Sequence, residues 1–311
     1  MTKNYERNWL FTFKSVILFS SMLFAGTAMA QLSGTYTINS GAATSGTNYA
    51  SFTAFATAIN GVGVSGPVTV NVVSGSGPYS GQVQFTASGT ATNTITINGN
   101  GNTLKNTSSA SVVNLNGADY VTIDNLIIDA AGTGNGTRGV WFHNGADNNT
   151  ISNCQIIFSA YSGTNNSTAY ISFSGSATSS TSSGNHGKLN LITGNVMKGS
   201  SNSYGPYYGF ADYRTAAQAG STVANVFTDN DVRDVYYYSV YMYRTNGMTI
   251  ENNKFHTSRS GTGSRYGFYA YYCVTTTHQI SISNNEVTNL SGNYVYLSYL
   301  YYTTGTAALP F

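Results

Sequence analysis

The densest group of acidic side chains in this sequence is Asp229, Asp231 and Asp234, with Arg233 among them. Carboxylates that converge on one surface can bind Ca²⁺ or serve as the acid and base of glycoside hydrolysis. This patch is therefore the candidate catalytic site. A structural interpretation competes with it and is favoured: Asp229 belongs to a column of bend residues and Asp231 to a row of surface charges.

Tyrosine is the second distinctive residue, because 18 of the 25 tyrosines fall between Tyr204 and Tyr302. In segments 240–243 and 268–271, period-two alternation predicts inward apolar residues and outward tyrosines. Two interpretations stay open: the tyrosines stack on one another purely as structure, or they form an aromatic strip that binds the apolar faces of sugars in a neutral glycan. The predicted ligand-binding residues, in which the last two continue the column, are Tyr241, Tyr243, Tyr269, Tyr271, Tyr294 and Tyr296.

Histidine and cysteine give no sign of a bound metal. The histidines are far apart and lack the spacing of metal ligands, so surface or turn positions are favoured, and neither a metal site nor a cofactor is predicted. Cys154 and Cys273 are separated by about four repeats, roughly 19 Å at strand spacing, which is too far for a disulfide. The histidines are His143, His186, His256 and His278.

The element that must position these residues is a short repeat, here called the Asn motif: an apolar residue, a small polar residue, two residues that are usually Asn, any residue, and a second apolar residue. The intervals between copies are 26, 28, 41, 35, 23 and 32 residues, counted from a degenerate copy at Ile97. A constant motif with variable spacing predicts a solenoid of stacked coils. The leading apolar residues of the six clear copies are Ile123, Ile151, Ile192, Phe227, Ile250 and Ile282.

Each copy is interpreted as one short strand followed by a bend. Asn suits the bend because it tolerates left-handed backbone angles and its amide can bond to the next Asn along the stack. The second Asn column is predicted to point inward, since Leu126 and Cys154 occupy it in earlier copies. The next position reads Asp231, Lys254 and Glu286, which predicts rung-to-rung ion pairs on the outer surface. Preceding strands at 112–115, 139–142, 170–173, 239–242 and 267–270 are predicted to form a second sheet.

The two ends of the chain differ from the repeats. Residues 1–30 resemble a secretory signal peptide, with basic residues, an apolar run and the small-residue sequence Ala28-Met29-Ala30. Residues 31–95 are predicted to cap the solenoid, through an amphipathic helix at 49–60 and strands at 68–73 and 82–86. Residues 96–311 hold the repeats, and no second cap is evident before Phe311. Either the natural polypeptide is longer, which is the favoured expectation, or a partner covers this end.

Charge narrows the range of partners. Removal of Lys3, Arg7, Lys14 and Glu6 with the signal peptide leaves ten basic and ten acidic residues. A nucleic-acid partner is therefore not predicted, because it would require clustered cations. The apolar run of the leader is shorter than a bilayer span, so no membrane span is predicted in the mature chain. We expect a secreted or cell-surface protein.

The repeated Asn motif resembles the parallel β-helix repeat of the pectate-lyase-like superfamily, over about residues 95–297. Segments 34–38, 49–60 and 66–70 also look like the start of large secreted β-helix proteins exported by the type IX route. The resemblance implies action on acidic polysaccharides, by β-elimination with Ca²⁺ or by hydrolysis. The sequence departs from the hydrolase motifs, since Asn185-His186-Gly187 replaces Gly-His-Gly and Arg-Ile-Lys is absent.

Together these patterns predict an all-β protein, a right-handed parallel β-helix solenoid with a short N-terminal cap that contains a helix. The favoured function is a non-catalytic structural or adhesive module with affinity for a polysaccharide or cell-surface glycan. The alternative is a polysaccharide lyase or glycoside hydrolase acting on an acidic polysaccharide. Its catalytic groups would lie in the long loops at 159–188 and 198–221, or beyond residue 311.

Overall fold

The computed structural model describes residues 30–160, 164–201, 204–215, 223–256, 263–273, 279–290 and 292–301. The chain winds through three parallel sheets, here named A, B and C, and each coil contributes one strand to each sheet in that order. This is the parallel β-helix that the repeat predicts. In the described part of the chain, no helix is long and apolar enough to cross a membrane.

Strands are numbered along the chain, and within each sheet they follow the order in which neighbours pair. Sheet A contains β2 (Asn48–Tyr49), β1 (Leu32–Ile38), β3 (Val64–Val72), β6 (Ile95–Asn98), β9 (Val121–Asp124), β12 (Thr150–Ser152), β15 (Leu191–Thr193), β18 (Asn225–Thr228), β21 (Met248–Glu251) and β24 (Ser281–Ser283). Sheet B contains β4 (Tyr79–Ser80), β7 (Thr103–Asn106), β10 (Ile127–Ala130), β13 (Gln155–Phe158), β16 (Val196–Gly199), β19 (Asp231–Arg233), β22 (Lys254–His256) and β25 (Glu286–Thr288). Sheet C contains β5 (Val83–Phe85), β8 (Ser111–Asn116), β11 (Arg138–His143), β14 (Ala169–Phe173), β17 (Tyr208–Tyr213), β20 (Tyr238–Tyr243), β23 (Ser264–Tyr271) and β26 (Tyr294–Tyr301).

The leading apolar residues of the Asn motif form one continuous interior file, which confirms the central prediction from the sequence. Neighbouring members are direct partners on successive strands of sheet A, and all but the last are fully buried. Burial of each such side chain contributes about 1.5–3 kcal/mol. The file runs Ile97, Ile123, Ile151, Ile192, Phe227, Ile250 and Ile282.

The prediction of one strand per Asn motif is wrong. Each copy contributes two strands, because the leading apolar residue lies in sheet A and the closing one in sheet B. Ile123 and Ile128, for example, lie in β9 and β10, on either side of the bend at Asn125. The strands that were predicted to form a second sheet therefore form the third one, sheet C. Sheet C also contains β17, which the sequence analysis did not identify.

The bend between sheets A and B has the predicted backbone conformation. Its first position has a positive φ in every clear copy, which Asn, Asp and Gly adopt more readily than other residues. The φ angles are 50° at Asn125, 53° at Asn153, 66° at Gly194, 56° at Asp229, 57° at Asn252 and 53° at Asn284.

The second position of the bend points inward, as predicted, and forms an amide ladder. Asn195 donates from its backbone N and its Nδ2 to Asn230 Oδ1, at 3.0 and 2.9 Å. Asn230 donates in the same way to Asn253 Oδ1, at 2.9 and 3.0 Å. Each buried amide is thus satisfied by the next coil, which avoids a cost of about 1–3 kcal/mol per unpaired group.

A second amide ladder, which the sequence analysis did not identify, lies at the turn from sheet C to sheet A. The backbone N of Asn149 donates to Asn190 Oδ1, and that of Asn190 to Asn225 Oδ1, both at 2.9 Å. All three side chains are buried. Hydrogen bonds between buried asparagines of successive coils therefore fix two of the three corners of the coil.

Helix α1 (Phe52–Val62) covers the interior of the first coils. It begins at Ser51, whose hydroxyl accepts a hydrogen bond from Ala54 N at 3.1 Å, and ends at Gly63, whose φ is 69°. The predicted helix at 49–60 is shifted by two or three residues. Its buried face consists of the residues whose spacing predicted it, Phe52, Phe55, Ala56 and Ile59. Strands β3, β4 and β5 in the predicted cap pair in register with β6, β7 and β8.

The charged positions of sheet B are in register as predicted, since Asp231 pairs with Lys254 and Lys254 with Glu286. The predicted ion pair between Asp231 and Lys254 is wrong. Asp231 instead pairs with Arg233 on its own strand and with His256 Nε2 on the next, at 2.8 Å. Arg233 and its register partner His256 lie two residues further along the outer face than Asp231 and Lys254. Their side chains extend back to the Asp231 carboxylate.

Candidate functional site

The acidic patch consists of carboxylates in structural positions. Asp229 is exposed at the left-handed bend, and its Oδ2 accepts a hydrogen bond from Thr228 Oγ1 at 3.1 Å. Asp234 is buried just beyond β19, with φ 58°. Partial desolvation acts to raise the pKa of Asp231, but its hydrogen bonds to Arg233 and His256 outweigh that effect and lower the pKa. Asp231 is therefore an ionised and engaged group.

His143, His186 and both cysteines are buried and serve packing, whereas His256 is hydrogen-bonded to Asp231 on the outer face of sheet B. His143 stacks on Trp141 with ring centroids 3.7 Å apart, and its Nε2 lies 2.7 Å from Asn114 Oδ1. Burial lowers the pKa of His143 and of His186 to about 4, and raises the pKa of Cys154 and of Cys273 to about 12. His278 lies outside the described residues. Among the residues that are described, no cluster of three or more His, Cys, Asp or Glu could hold a metal.

A buried ion pair that the sequence analysis did not identify lies at the end of β17. Asp212 occupies an interior position of sheet C, between Phe173 and Met242. Its Oδ2 accepts hydrogen bonds from Arg214 Nε and Thr245 Oγ1, both at 2.9 Å. Both charged groups are almost completely buried, so the pair fixes the turn that leaves β17.

The outer face of sheet C is covered in its middle coils by the loop at 174–187. Arg138 Nη2 donates to Ser176 O at 2.8 Å, and Arg138 Nε to Ser180 Oγ at 3.2 Å. Trp141 Nε1 donates to Ser174 O at 2.6 Å. These bonds attach the loop to β11 and bury both side chains.

Beyond that loop, tyrosines occupy the outer face of sheet C in three columns, here called the tyrosine lattice. In each column the members are register partners on successive strands. Column 1 is Tyr208, Tyr238, Tyr266 and Tyr296; column 2 is Tyr241, Tyr269 and Tyr299; column 3 is Tyr213, Tyr243, Tyr271 and Tyr301.

The outward tyrosines of β20 and β23 lie where the alternation predicts, but the assignment for β26 is wrong. Tyr296 continues column 1, and Tyr294 pairs with Ser264. Columns 2 and 3 end instead in Tyr299 and Tyr301. Strand β26 extends to Tyr301, well beyond the two tyrosines that the sequence analysis assigned to the column, and its last residues bring Tyr299 and Tyr301 into register.

The sequence analysis did not identify column 1 because the inward–outward alternation of the strand is interrupted by an extra residue between columns 1 and 2. In β23 this residue is Gly267, which lies between Tyr266 and the inward Phe268. At the corresponding Gly139, an added Cβ would lie only 2.3 Å from the interior side chain of Ile156. The glycine and the residue that follows it therefore both face inward, as Gly267 and Phe268 do in β23. The sequence does carry a signal, since Tyr238 and Tyr266 each precede a predicted tyrosine by three residues.

The rings of columns 1 and 2 pack in a herringbone arrangement. Within column 2, Tyr241, Tyr269 and Tyr299 are nearly parallel, with ring centroids 5.2 and 5.1 Å apart. These separations exceed carbon contact distance, so the parallel rings are offset. Between columns 1 and 2 the rings meet edge to face, as Tyr266 and Tyr269 do at 88°, whereas between columns 2 and 3 they are nearly parallel or tilted. Both geometries suit the ring quadrupole, and inner rings share their faces with neighbouring tyrosines.

The lattice presents ring edges and hydroxyl groups in an uncharged state. Burial, and then the neighbouring phenols, raises the pKa of Tyr238 and of Tyr241 far above the ordinary value of 10. Exposure increases toward the last described rung, to 36% for Tyr296 and 41% for Tyr301. Such a surface can donate and accept hydrogen bonds beside apolar ring edges.

Comparison with protein-family models and with curated proteins gives no match. Among solved structures, the crystal structure of GH136 lacto-N-biosidase from Eubacterium ramulus, in its native form, is similar, with a TM-score of 0.51 and 13% sequence identity. The similarity covers 86% of this chain and 56% of that one. This chain therefore spans little more than half of the neighbour's length, and at this identity the likeness shows the fold alone.

Proposed function

We propose that this protein is an exported, non-catalytic β-helix module that binds a glycan along the tyrosine lattice. The observation that carries the proposal is the lattice itself: an open face of uncharged tyrosines, fixed by stacking along columns 1 and 2 and by edge-to-face packing between these two columns. Rigid aromatic side chains bind with little loss of conformational entropy. The signal-peptide pattern of residues 1–30 supports export, and the type IX resemblance suggests one route to the cell surface.

Sugars suit this surface because they combine hydroxyl groups with apolar C–H faces. The stacked rings of column 2 leave their edges and hydroxyls accessible while their faces contact one another, so we propose that the glycan lies across ring edges. Successive rings are 4.7–5.5 Å apart in columns 1 and 2. Columns 1 and 2 consist of uncharged phenols, which supports a ligand that is mainly neutral. The name of the structural neighbour, a lacto-N-biosidase, adds support for carbohydrate as the class of partner.

The competing proposal, a lyase or hydrolase of acidic polysaccharides, has less support. Its best candidate, Asp231, is held as an anion by Arg233 and His256, whereas a general acid must be protonated. The pectate-lyase-like resemblance is the remaining argument for it. Release of reducing sugars or unsaturated products from pectin, alginate or neutral glycans would favour this alternative.

Affinity electrophoresis and calorimetry against a polysaccharide panel test the proposal. We expect wild-type protein to be retarded by at least one neutral glycan. The double variant Tyr266→Phe/Tyr269→Phe keeps the rings and removes two hydroxyls, and should lose about fivefold to 100-fold in affinity, at about 1 ± 0.5 kcal/mol per hydrogen bond. Tyr266→Ala/Tyr269→Ala should lose at least as much.

The matched control is Tyr120→Phe, a hydroxyl deletion at a half-buried tyrosine in the turn before β9. It should leave affinity unchanged. Wild-type mobility that no glycan changes, or equal affinity for the wild type and both double variants, would contradict the proposal.

A further inference from the structure

Arg244 lies at the edge of column 3 of the lattice, with its guanidinium packed against two aromatic rings. Its Cζ is 4.9 Å from the ring centroid of Tyr243 and 5.9 Å from that of Tyr272. The side chain is half-buried. Cation–π contacts of this kind stabilise the guanidinium while leaving its in-plane N–H donors available.

The preceding coil explains why this arginine lacks an acidic partner. Arg214 and Arg244 are equivalent, since each backbone N donates to the tyrosine carbonyl of the next coil, Tyr243 O and Tyr271 O. Asp212 neutralises Arg214, but the register partner of Asp212 is Met242. Every acidic residue except Glu6 lies in the described part of the chain, and within it no carboxylate forms an ion pair with Arg244.

Four phenols lie around the same position. The rings of Tyr213 and Tyr243 are stacked with centroids 4.1 Å apart, those of Tyr271 and Tyr272 are 4.3 Å apart, and Arg244 is close enough to act electrostatically on Tyr213. The edge of column 3 thus combines a guanidinium fork with neutral O–H donors. A planar fork matches the two oxygens of a carboxylate, and hydrogen bonds to a charged group are stronger than neutral ones.

We propose that Arg244 binds the carboxylate of an acidic sugar residue, while columns 1 and 2 contact neutral residues of the same glycan. This inference rests on the proposed function and refines it, because it makes the ligand a largely neutral glycan that carries carboxylates, rather than a purely neutral one. Arg244 supplies the preference for acid, and the lattice supplies the basal affinity.

The experiment uses pairs of oligosaccharides that differ in one group: glucose against glucuronate, galactose against galacturonate, and galactose against its sulfate ester. Affinities are measured by calorimetry in low-salt buffer at neutral pH. We expect wild-type protein to bind the carboxylate member of a pair about tenfold tighter than its neutral partner, and the difference to shrink as salt screens the charge.

The variant Arg244→Gln keeps most of the side-chain stem and removes the charge, so it should bind both members of a pair equally. Arg244→Lys keeps the charge without the fork and should retain only part of the preference. The matched control is Lys254→Gln, which removes an exposed cation from sheet B and should keep the full preference.

The outcomes separate the two proposals. Binding of neither member of any pair by wild-type protein would contradict both. Equal binding of acidic and neutral members by wild-type protein, or a preference that survives in Arg244→Gln, would overturn this inference and leave the glycan-binding proposal intact. Equal preference for sulfate and carboxylate would overturn the assignment to a carboxylate.

Discussion

The outer face of sheet C has two halves that share one backbone register and differ in almost every side chain. Along column 2, the covered half presents Asn114, Trp141 and Ser172, and the open half presents Tyr241, Tyr269 and Tyr299. The first half is sealed by the loop at 174–187, whereas the second carries the tyrosine lattice. Packing in the interior restricts which residues can face inward, whereas it places almost no restriction on the outward positions. The outer face is therefore free to vary and can carry function.

The covered half should behave as core. Trp141 is nearly buried, stacks on His143 and donates to the loop through Nε1. We expect Trp141→Ala to lower the free energy of unfolding by about 3–5 kcal/mol, the range for large buried aromatic side chains. Urea unfolding followed by circular dichroism measures this value. A loss below about 1 kcal/mol would mean that the loop does not seal this face.

The open half should tolerate the equivalent change better. Tyr269 occupies the same column and stacks on Tyr241 and Tyr299, and each aromatic pair contributes about 0.5–1.5 kcal/mol. We therefore expect Tyr269→Ala to cost about 1–3 kcal/mol in the same assay and Tyr269→Phe almost nothing. If Tyr269→Ala costs as much as Trp141→Ala, the distinction between the two halves fails.

The two halves should also titrate at opposite ends of the pH scale. The pKa of His143 and of His186 is lowered to about 4 by burial, so the stability they contribute is fully present above about pH 6.5 and lost as pH falls toward 4. The pKa of Tyr241 is raised above its ordinary value of 10, so its contribution is complete below pH 10 and lost as pH rises through the folded-state pKa. Unfolding free energies measured across pH should decline on both sides.

Variants assign each side of this profile. Tyr241→Phe should flatten part of the alkaline decline and leave the acid side unchanged, since phenylalanine has no proton to lose. His143→Asn should flatten part of the acid decline only. A Tyr241→Phe profile that matches wild type above pH 10 would show that the lattice does not protect its phenol protons.

Much of the fold could be predicted from particular residues. The file from Ile123 to Ile282, the inward Asn195 and Asn230, and the buried face of α1 all follow from side-chain type and spacing. The division of each coil among three sheets could not be predicted. The Asn motif contains a bend of only two residues, and the sequence does not show that the segments before and after this bend join different sheets. Of the candidate site, the outward positions of Tyr241 and Tyr269 were predicted, whereas column 1 and the end of column 2 were not.

The sequence alone determined the axis of this protein, because burial of a repeated apolar residue requires equivalent positions to stack whatever the length of the loops between them. Only the tertiary structure decided which outward residues meet. An extra inward residue such as Gly267 changes which later residues of its sheet C strand face outward. Met242 occupies the position that Asp212 has in the preceding coil, so Arg244 has two tyrosine rings beside it instead of a carboxylate. Both effects depend on the pairing of coils that lie some 30 residues apart, which local periodicity does not encode.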